Sequence, residues 1–302
     1  MNNPSQRIGP VTVHFGRKNG KYPDGNQVVV TGGEVRAVFD TPLSSQTGGQ
    51  AGAGPLDGAE LVLLGHVHED HCVALNRLPR AAVFAPEGDL AAVRSVDGMM
   101  AHYGYSPAAS EKMRVKLTGE FHFQPRPDAR GYPDGKVWEL GGGVTVRAIH
   151  MPGHTRGHSV LMVEPGGIAF IGDIDLTGFG PYYGDACSNL RDFLDTLERI
   201  EHMDAKVWIT YHHKGVITER ELFLELLRAF REKVALREAA ILRVLAEGPN
   251  TLVKLVAHRF IYPPDYHDVY VEDVERKSLT EHLSILLEQE RVKEEAGVFR
   301  LA

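Results

Sequence analysis

Leu61-Val62-Leu63-Leu64-Gly65-His66-Val67-His68-Glu69-Asp70-His71 is the stretch on which the fold turns. Four consecutive apolar residues, 61–64, predict a short strand. Directly after it, His66, His68, Asp70 and His71 put four metal-type donors within six residues. A strand ending there delivers them onto a loop at one edge of a sheet, where side chains converge. Imidazole nitrogen suits Zn or Fe, and carboxylate adds a harder oxygen donor. His66 and His68 alternate by two, so both can face one ion. Asp70 and His71 follow the turn and can reach a second.

The same placement recurs further along the chain. The β-type run 144–149 leads into His150-Met151-Pro152-Gly153-His154-Thr155-Arg156-Gly157-His158, the run 168–171 into Gly172-Asp173, and the run 207–211 into His212-His213-Lys214-Gly215. Donor residues repeated at strand ends are what a site assembled on one rim of a sheet requires. Residues 28–30, 35–39, 82–85 and 160–163 supply further strands. Ser188 is placed to cap a helix with Leu190, Phe193, Leu194, Leu197 and Ile200 at helical spacing. Thr218-Glu219-Arg220-Glu221 reads as a capping box opening a helix with Leu222, Phe223, Leu226, Leu227 and Phe230. Residues 88–105 predict a helix and a loop, with Met99 and Met100 as core filling. Tyr-Pro-Asp-Gly, at residues 22–25 and 132–135, predicts two type I turns. The glycine-rich stretch 44–54 lacks the Gly-Lys-Ser/Thr of a phosphate loop and is read as a surface loop.

Past residue 231 the pattern changes. A helix with Val234, Ile241, Leu242 and Leu245 stops at Gly248-Pro249. Two more carry Leu252, Leu255 and Val256, then Val274, Leu279, Leu283, Leu286 and Leu287. Runs at 291–293 and 298–301 flank a turn with Gly297, a hairpin. The expected organisation is therefore a sheet-rich unit over 1–230 and a small winged-helix-type unit over 231–302.

Composition narrows the function classes. The 302 residues are 43% hydrophobic and 24% charged, as in ordinary globular proteins, with 33 Lys and Arg against 40 Asp and Glu, net −7. Residues 231–302 hold 11 Lys and Arg against 13 Asp and Glu, a balance of −2. A phosphate-gripping domain is basic, so nucleic acid is disfavoured as a partner. Packing or contacts within a homo-oligomer is the better expectation for that segment. Cys72 and Cys187 cannot form a disulfide framework, Cys72 reads as a packed residue, and no secretory leader or ~18-residue apolar run is present, so a cytoplasmic, membrane-free protein is expected.

The order HxHxDH, PGHTxGH, GD and a last His before a glycine turn resembles the metallo-β-lactamase superfamily, in its glyoxalase II-like or β-lactamase-like branch. The likeness runs from Val11 to Ile217. It implies an α+β fold, a four-layer αββα sandwich, here followed by the winged-helix-type unit. It also implies two divalent ions, Zn first and Fe or Mn as alternatives. By resemblance, His66, His68 and His154 hold the first ion, Asp70, His71 and His213 the second, and Asp173 bridges both. His213 is preferred to the adjacent His212 because relatives carry His-Gly-x-Val-Ile there and Val216-Ile217 sets the register. His158 is read as a supporting residue. Gly65 before the first His, Cys72-Val73-Ala74 after the last, and Asp40-Thr41-Pro42 in place of Asp-Thr-Gly depart from the common pattern and leave the substrate open.

Two such ions would hold a bridging hydroxide at neutral pH, which would attack an acyl carbonyl with Asp70 as ligand and proton shuttle. No Gly-x-Ser-x-Gly nucleophile elbow occurs. The expected reaction is hydrolysis of an ester, thioester or lactone of a small molecule. An endoribonuclease or phosphodiesterase of the same fold is the alternative. Tyr182-Tyr183, after Asp173, are placed to line the pocket.

Overall fold

The computed structural model describes residues 4–46 and 54–302. Seven strands form the first sheet in sequence order: β1 (Ser5–Ile8), β2 (Val11–His14), β3 (Gln27–Thr31), β4 (Arg36–Phe39), β5 (Leu61–Leu63), β6 (Ala82–Pro86) and β7 (Arg130–Tyr132). β1 to β4 pair antiparallel and β4 to β7 parallel. The second sheet holds β8 (Val137–Glu139), β9 (Thr145–His150), β10 (Ser159–Glu164), β11 (Ile168–Gly172), β12 (Val207–Thr210) and β13 (Val216–Ile217), in the order β13-β12-β11-β10-β9-β8.

Side-chain alternation stacks these sheets into layers. Val28 and Val30, Ala37 and Phe39, and Leu61 and Leu63 face Leu161 and Val163, Ile168 and Phe170, and Val207 and Ile209 between the two sheets. The intervening residues point outward. Val29, Val38 and Val62 pack under α2 (Leu90–Arg94), α3 (Val96–Tyr103) and α4 (Pro107–Gly119), whose Met99, Met100, Met113 and Leu117 cover them. Val160, Met162, Ala169, Ile171 and Trp208 pack under α5 (Leu190–Glu201) and the first half of α6 (Arg220–Ala246). Helix, sheet, sheet, helix is the expected αββα sandwich. Burial on both faces is why the strands read as unbroken apolar runs.

Several local readings shift. Asn189, not Ser188, caps α5, accepting from the Asp192 N–H at 3.0 Å. α6 begins one residue after Glu219, so Thr218 lies outside the helix and donates to Glu219 Oε1 instead of closing a capping box. The turn at Lys21–Asp24 contains a cis Tyr22–Pro23 peptide and is not type I. Of the glycine-rich stretch 44–54, residues 44–46 end the short helix α1 (Leu43–Gln46), and 47–53 lie outside the described residues.

The two helices expected on either side of residue 231 are one helix of 27 residues, α6, in which that residue is internal. Beyond it come β14 (Asn250–Thr251), α7 (Leu252–Val256), α8 (Val271–Glu288), β15 (Val292–Glu295) and β16 (Val298–Leu301), the strands ordered β14-β16-β15. Ala296 and Gly297, both at positive φ, make the tight turn of the β15–β16 hairpin. Ile241, Leu245, Leu255, Leu279, Leu283, Leu286 and Val292 form this segment's own core.

Candidate metal centre

Five chain segments deliver polar side chains to one rim of the sandwich. β4 ends at Asp40, β5 leads to His66–His71, the β9–β10 connection carries His154, β11 ends before Asp173, and β12 leads to His212. The first of these loops closes in a 3-10 turn, Glu69–His71. Tyr211 braces it, stacking on His71 (3.8 Å between ring centres) and donating to the Asp70 carbonyl. Asp89 ties the two histidine loops together by accepting from Val67 N–H, the Thr155 hydroxyl and Gly157 N–H. Gly172 is required where it stands, since a Cβ would lie 2.8 Å from His158 Nε2.

The donor atoms fall into two sets. His66 Nε2, His68 Nδ1 and His154 Nε2 form a triangle with sides of 3.1–3.2 Å. A tetrahedral ion at about 2.0–2.1 Å from its ligands spaces them by roughly 3.3 Å, so the triangle fits one face of such a site. Asp173 Oδ2 lies 3.4 Å from His154 Nε2 and 3.9 Å from His66 Nε2. In the second set, His212 Nε2 is 3.1 Å from Asp70 Oδ2, and His71 Nε2 is 3.8 Å from Asp70 Oδ1. Asp173 Oδ1 faces it, 3.2 Å from His71 Nε2 and 3.7 Å from His212 Nε2. Asp173 thus turns one oxygen to each set. His71 Nε2, Asp70 Oδ2 and Asp173 Oδ1 are buried without a hydrogen-bond partner, an arrangement that a cation would satisfy.

Partners on the far side of the rings fix which nitrogen faces inward. His71 Nδ1 bonds Asp40 Oδ2 at 2.8 Å, His154 Nδ1 the Tyr182 carbonyl at 3.0 Å, and His212 Nδ1 the Gly20 carbonyl at 2.7 Å. His68 is reversed, with Nε2 3.0 Å from Asp185 Oδ2 and Nδ1 directed inward. Electrostatics agree with a cation-seeking site. Burial opposes a charged His71, yet Asp173, Asp70 and Asp40 outweigh it and hold its pKa well above the ordinary imidazole value. His212 is carried to about 9 against burial by Asp173 and Asp70. Burial, with His71 beside it, pushes His66 the other way.

Six of the seven residues assigned from sequence converge here, namely His66, His68, Asp70, His71, His154 and Asp173. His213 does not. It sits at positive φ in the turn closed by Lys214 N–H to the His212 carbonyl, on the rim of the cavity, while His212 takes the inward place. His158 donates from Nδ1 to the Met151 carbonyl and is held by burial at about 3, a neutral packing residue beside His66. Cys72 is buried in the core under the first sheet. Tyr182 lines the cavity with its hydroxyl on Asp185, whereas Tyr183 is buried against His282. Asp40, Asp89 and Asp185 were not assigned from sequence. Asp40 shares the strand-end signal; Asp89 and Asp185 carry none, because the site residues they hold, Val67 and Thr155 for the one and His68 for the other, lie far from them in the chain.

His68, Asp70, His154, Asp173 and His212 border a cavity of about 500 Å³ walled by Tyr22, Tyr103, Tyr105, Tyr182, Tyr262, Tyr266 and Tyr270. No helix among the described residues is long and apolar enough to cross a membrane.

The chain is 27% identical over 159 residues to an atrochrysone carboxyl ACP thioesterase of Pseudocercospora fijiensis, covering 52% of this chain and 44% of that protein. It is 35% identical over 107 residues to an atrochrysone carboxyl ACP thioesterase of Passalora fulva, covering 34% and 30%. The matches thus span less than half the length of these relatives. A metallo-beta-lactamase family protein from Thermus thermophilus superposes over 98% of this chain and 99% of its own, with a TM-score of 0.69 at 23% identity, a likeness of fold. A sequence model of the Metallo-beta-lactamase superfamily matches residues 22–235, and with the five loops meeting on one rim of an αββα sandwich, the chain belongs to that superfamily.

Proposed function

We propose that this chain is a binuclear metal-dependent hydrolase that cleaves an acyl bond of a small molecule, a thioester first and an ester or lactone next. The observation that carries the reading is Asp173, whose two oxygens each face a separate set of buried donors. The names of the two fungal relatives support the thioester. At such a site, bound divalent ions (Zn first, Fe or Mn as alternatives) supply Lewis acidity that acidifies a water and polarises an acyl carbonyl.

The chain's own residues do the rest. His66, His68 and His154 hold one position and Asp70, His71 and His212 the other, with Asp173 shared. Asp40, Asp185 and the Tyr182 and Gly20 carbonyls keep the imidazoles oriented. Asp70, whose Oδ2 lies 3.1 Å from His212 beside the cavity, would take the proton of the attacking water on its other carboxylate oxygen and return it to the leaving thiolate. Residues 231–302, read as a winged-helix-type unit, contribute Tyr262, Tyr266 and Tyr270 to the cavity, a wall and not a nucleic-acid surface.

Elemental analysis of the reconstituted protein, with turnover measured on thioesters, lactones, β-lactams and single-stranded RNA, tests this. Two ions per chain and thioester cleavage are expected, with label from ¹⁸O-water in the acid product. A trapped acyl-enzyme, or turnover of RNA alone, overturns it.

A further inference from the structure

The cavity wall carries more information than the metal donors do. Six of its seven tyrosines have their hydroxyls tied back: Tyr22 and Tyr103 donate to Glu69, Tyr105 and Tyr182 to Asp185, and Tyr266 and Tyr270 bond each other at 2.9 Å. What remains for an occupant is ring surface, with the Tyr262 hydroxyl as the one wall phenol not held this way among the described residues. Tyr103 stacks on Tyr105 (5.0 Å, 7° between planes) and Tyr262 on Tyr266 (5.0 Å, 11°), with Tyr105 against Tyr270 (6.2 Å, 25°). Burial holds the Tyr103, Tyr105, Tyr182 and Tyr262 phenols well above their ordinary pKa, so these rings are uncharged.

Three of these tyrosines, Tyr262, Tyr266 and Tyr270, come from the loop between α7 and α8, which is fixed in place. Glu275, fully buried, accepts from the Phe260, Ile261 and Tyr262 N–H groups at 2.7–3.0 Å. Lys116 holds Asp268 at 2.6 Å, and Ser106 holds Asp273. Among the described residues, the only Lys or Arg bordering the cavity is Lys21, which is exposed, so away from the metal donors no Lys or Arg inside receives an anionic tail. The carboxylates of the wall are held by tyrosines, by Thr177 or by the histidine cluster, so a cationic tail would have to displace one of these bonds to reach them.

Resting on the acyl-hydrolase reading, we propose that this cavity selects a flat, uncharged aryl acyl group, with the α7–α8 loop as the specificity-determining element. Parallel phenol faces favour an offset-stacked ring over a linear chain. The test uses the Zn-loaded protein with thioesters of one thiol: 2-naphthoyl, octanoyl, succinyl and trimethylammonio-butyryl. In parallel, calorimetry measures binding of 2-naphthoate. The naphthoyl ester is expected to exceed each of the others at least tenfold in kcat/KM. Tyr266, half-buried in the wall, should lower that ratio at least tenfold as Tyr266→Ala and keep it as Tyr266→Phe. Preference for any other acyl group, or a ratio unmoved in Tyr266→Ala, overturns the proposal. If no thioester is cleaved, the reaction assigned to the site fails, but the cavity is still decided. Naphthoate binding weakened by Tyr266→Ala upholds it, and no binding overturns it.

Discussion

Among the described residues, Asp173 is the one side chain that faces both donor sets, so its removal should act on both metal positions at once. Asp173→Ala is expected to retain fewer than two ions per chain by elemental analysis; two ions at wild-type affinity would show that nothing is bridged. The last histidine gives a sharper contrast. His212→Ala should lose the ion that Asp70 and His71 face, whereas His213→Ala keeps both, because only the His212 ring turns inward. Asp70→Asn keeps the size and one oxygen donor but loses the basic site. Removing a positioned shuttle costs about 10²–10⁴ in rate, so thioester turnover should fall by that order while metal stays bound. Six inward residues were legible because each follows an apolar strand, whose end dictates where the next side chain arrives. The seventh was not. The turn after β12 has no period to read, and the contact that selects His212 is made with the Gly20 carbonyl, 192 residues away in the chain.

Between elements, α5 presents the His154 loop to the site. Ser188 donates to the His154 carbonyl at 2.6 Å, Thr196 to the Pro152 carbonyl at 2.7 Å, and Asn189 N–H to the Gly153 carbonyl at 2.9 Å. The hydroxyl expected to cap the helix is thus spent on the loop, and the neighbouring asparagine caps in its place. Gly153 makes the close approach feasible. Its φ is +125°, and a Cβ there would lie 2.2 Å from the Phe193 backbone. Gly153→Ala must therefore push the loop off α5 and displace His154. We expect a loss of about 1–3 kcal/mol in urea unfolding together with loss of the first ion, whereas Gly135→Ala, at positive φ with open space around it, costs stability alone. The strands could be read from sequence because burial on both faces makes them continuous apolar runs. α6 was harder. Phe223, Leu227, Phe230, Val234, Arg237, Ile241 and Leu245 form one buried stripe, but Arg237 interrupts its apolar reading. Its guanidinium is satisfied by the Phe179 and Pro181 carbonyls and the Tyr183 hydroxyl, none of them near it in sequence.

At the scale of the whole chain, that same network joins α8 to the sandwich. Arg237 donates to the Tyr183 oxygen, leaving the Tyr183 hydroxyl to donate to His282 Nε2 at 2.8 Å. His282 must then be the unprotonated acceptor, and burial, with Arg237 adding to it, lowers its pKa to about 3. The unfolded chain binds a proton at the ordinary imidazole pKa of about 6.5. Between these values the unfolded state holds more protons than the folded one, so stability rises with pH across the window. Conversely, the contribution present in full above about pH 6.5 is lost as pH falls toward 3, by up to about 1.4 kcal/mol per unit. His158, also held at about 3, acts with the same sign, so wild type alone cannot isolate the α8 contact. His282→Gln can, since its amide oxygen still accepts from Tyr183 but does not titrate. Urea unfolding of both proteins at pH 7, 6 and 5 should show the wild type losing stability faster, the difference growing with each unit of acidification. Parallel pH profiles would mean that α8 is not held to the sandwich through a neutral His282.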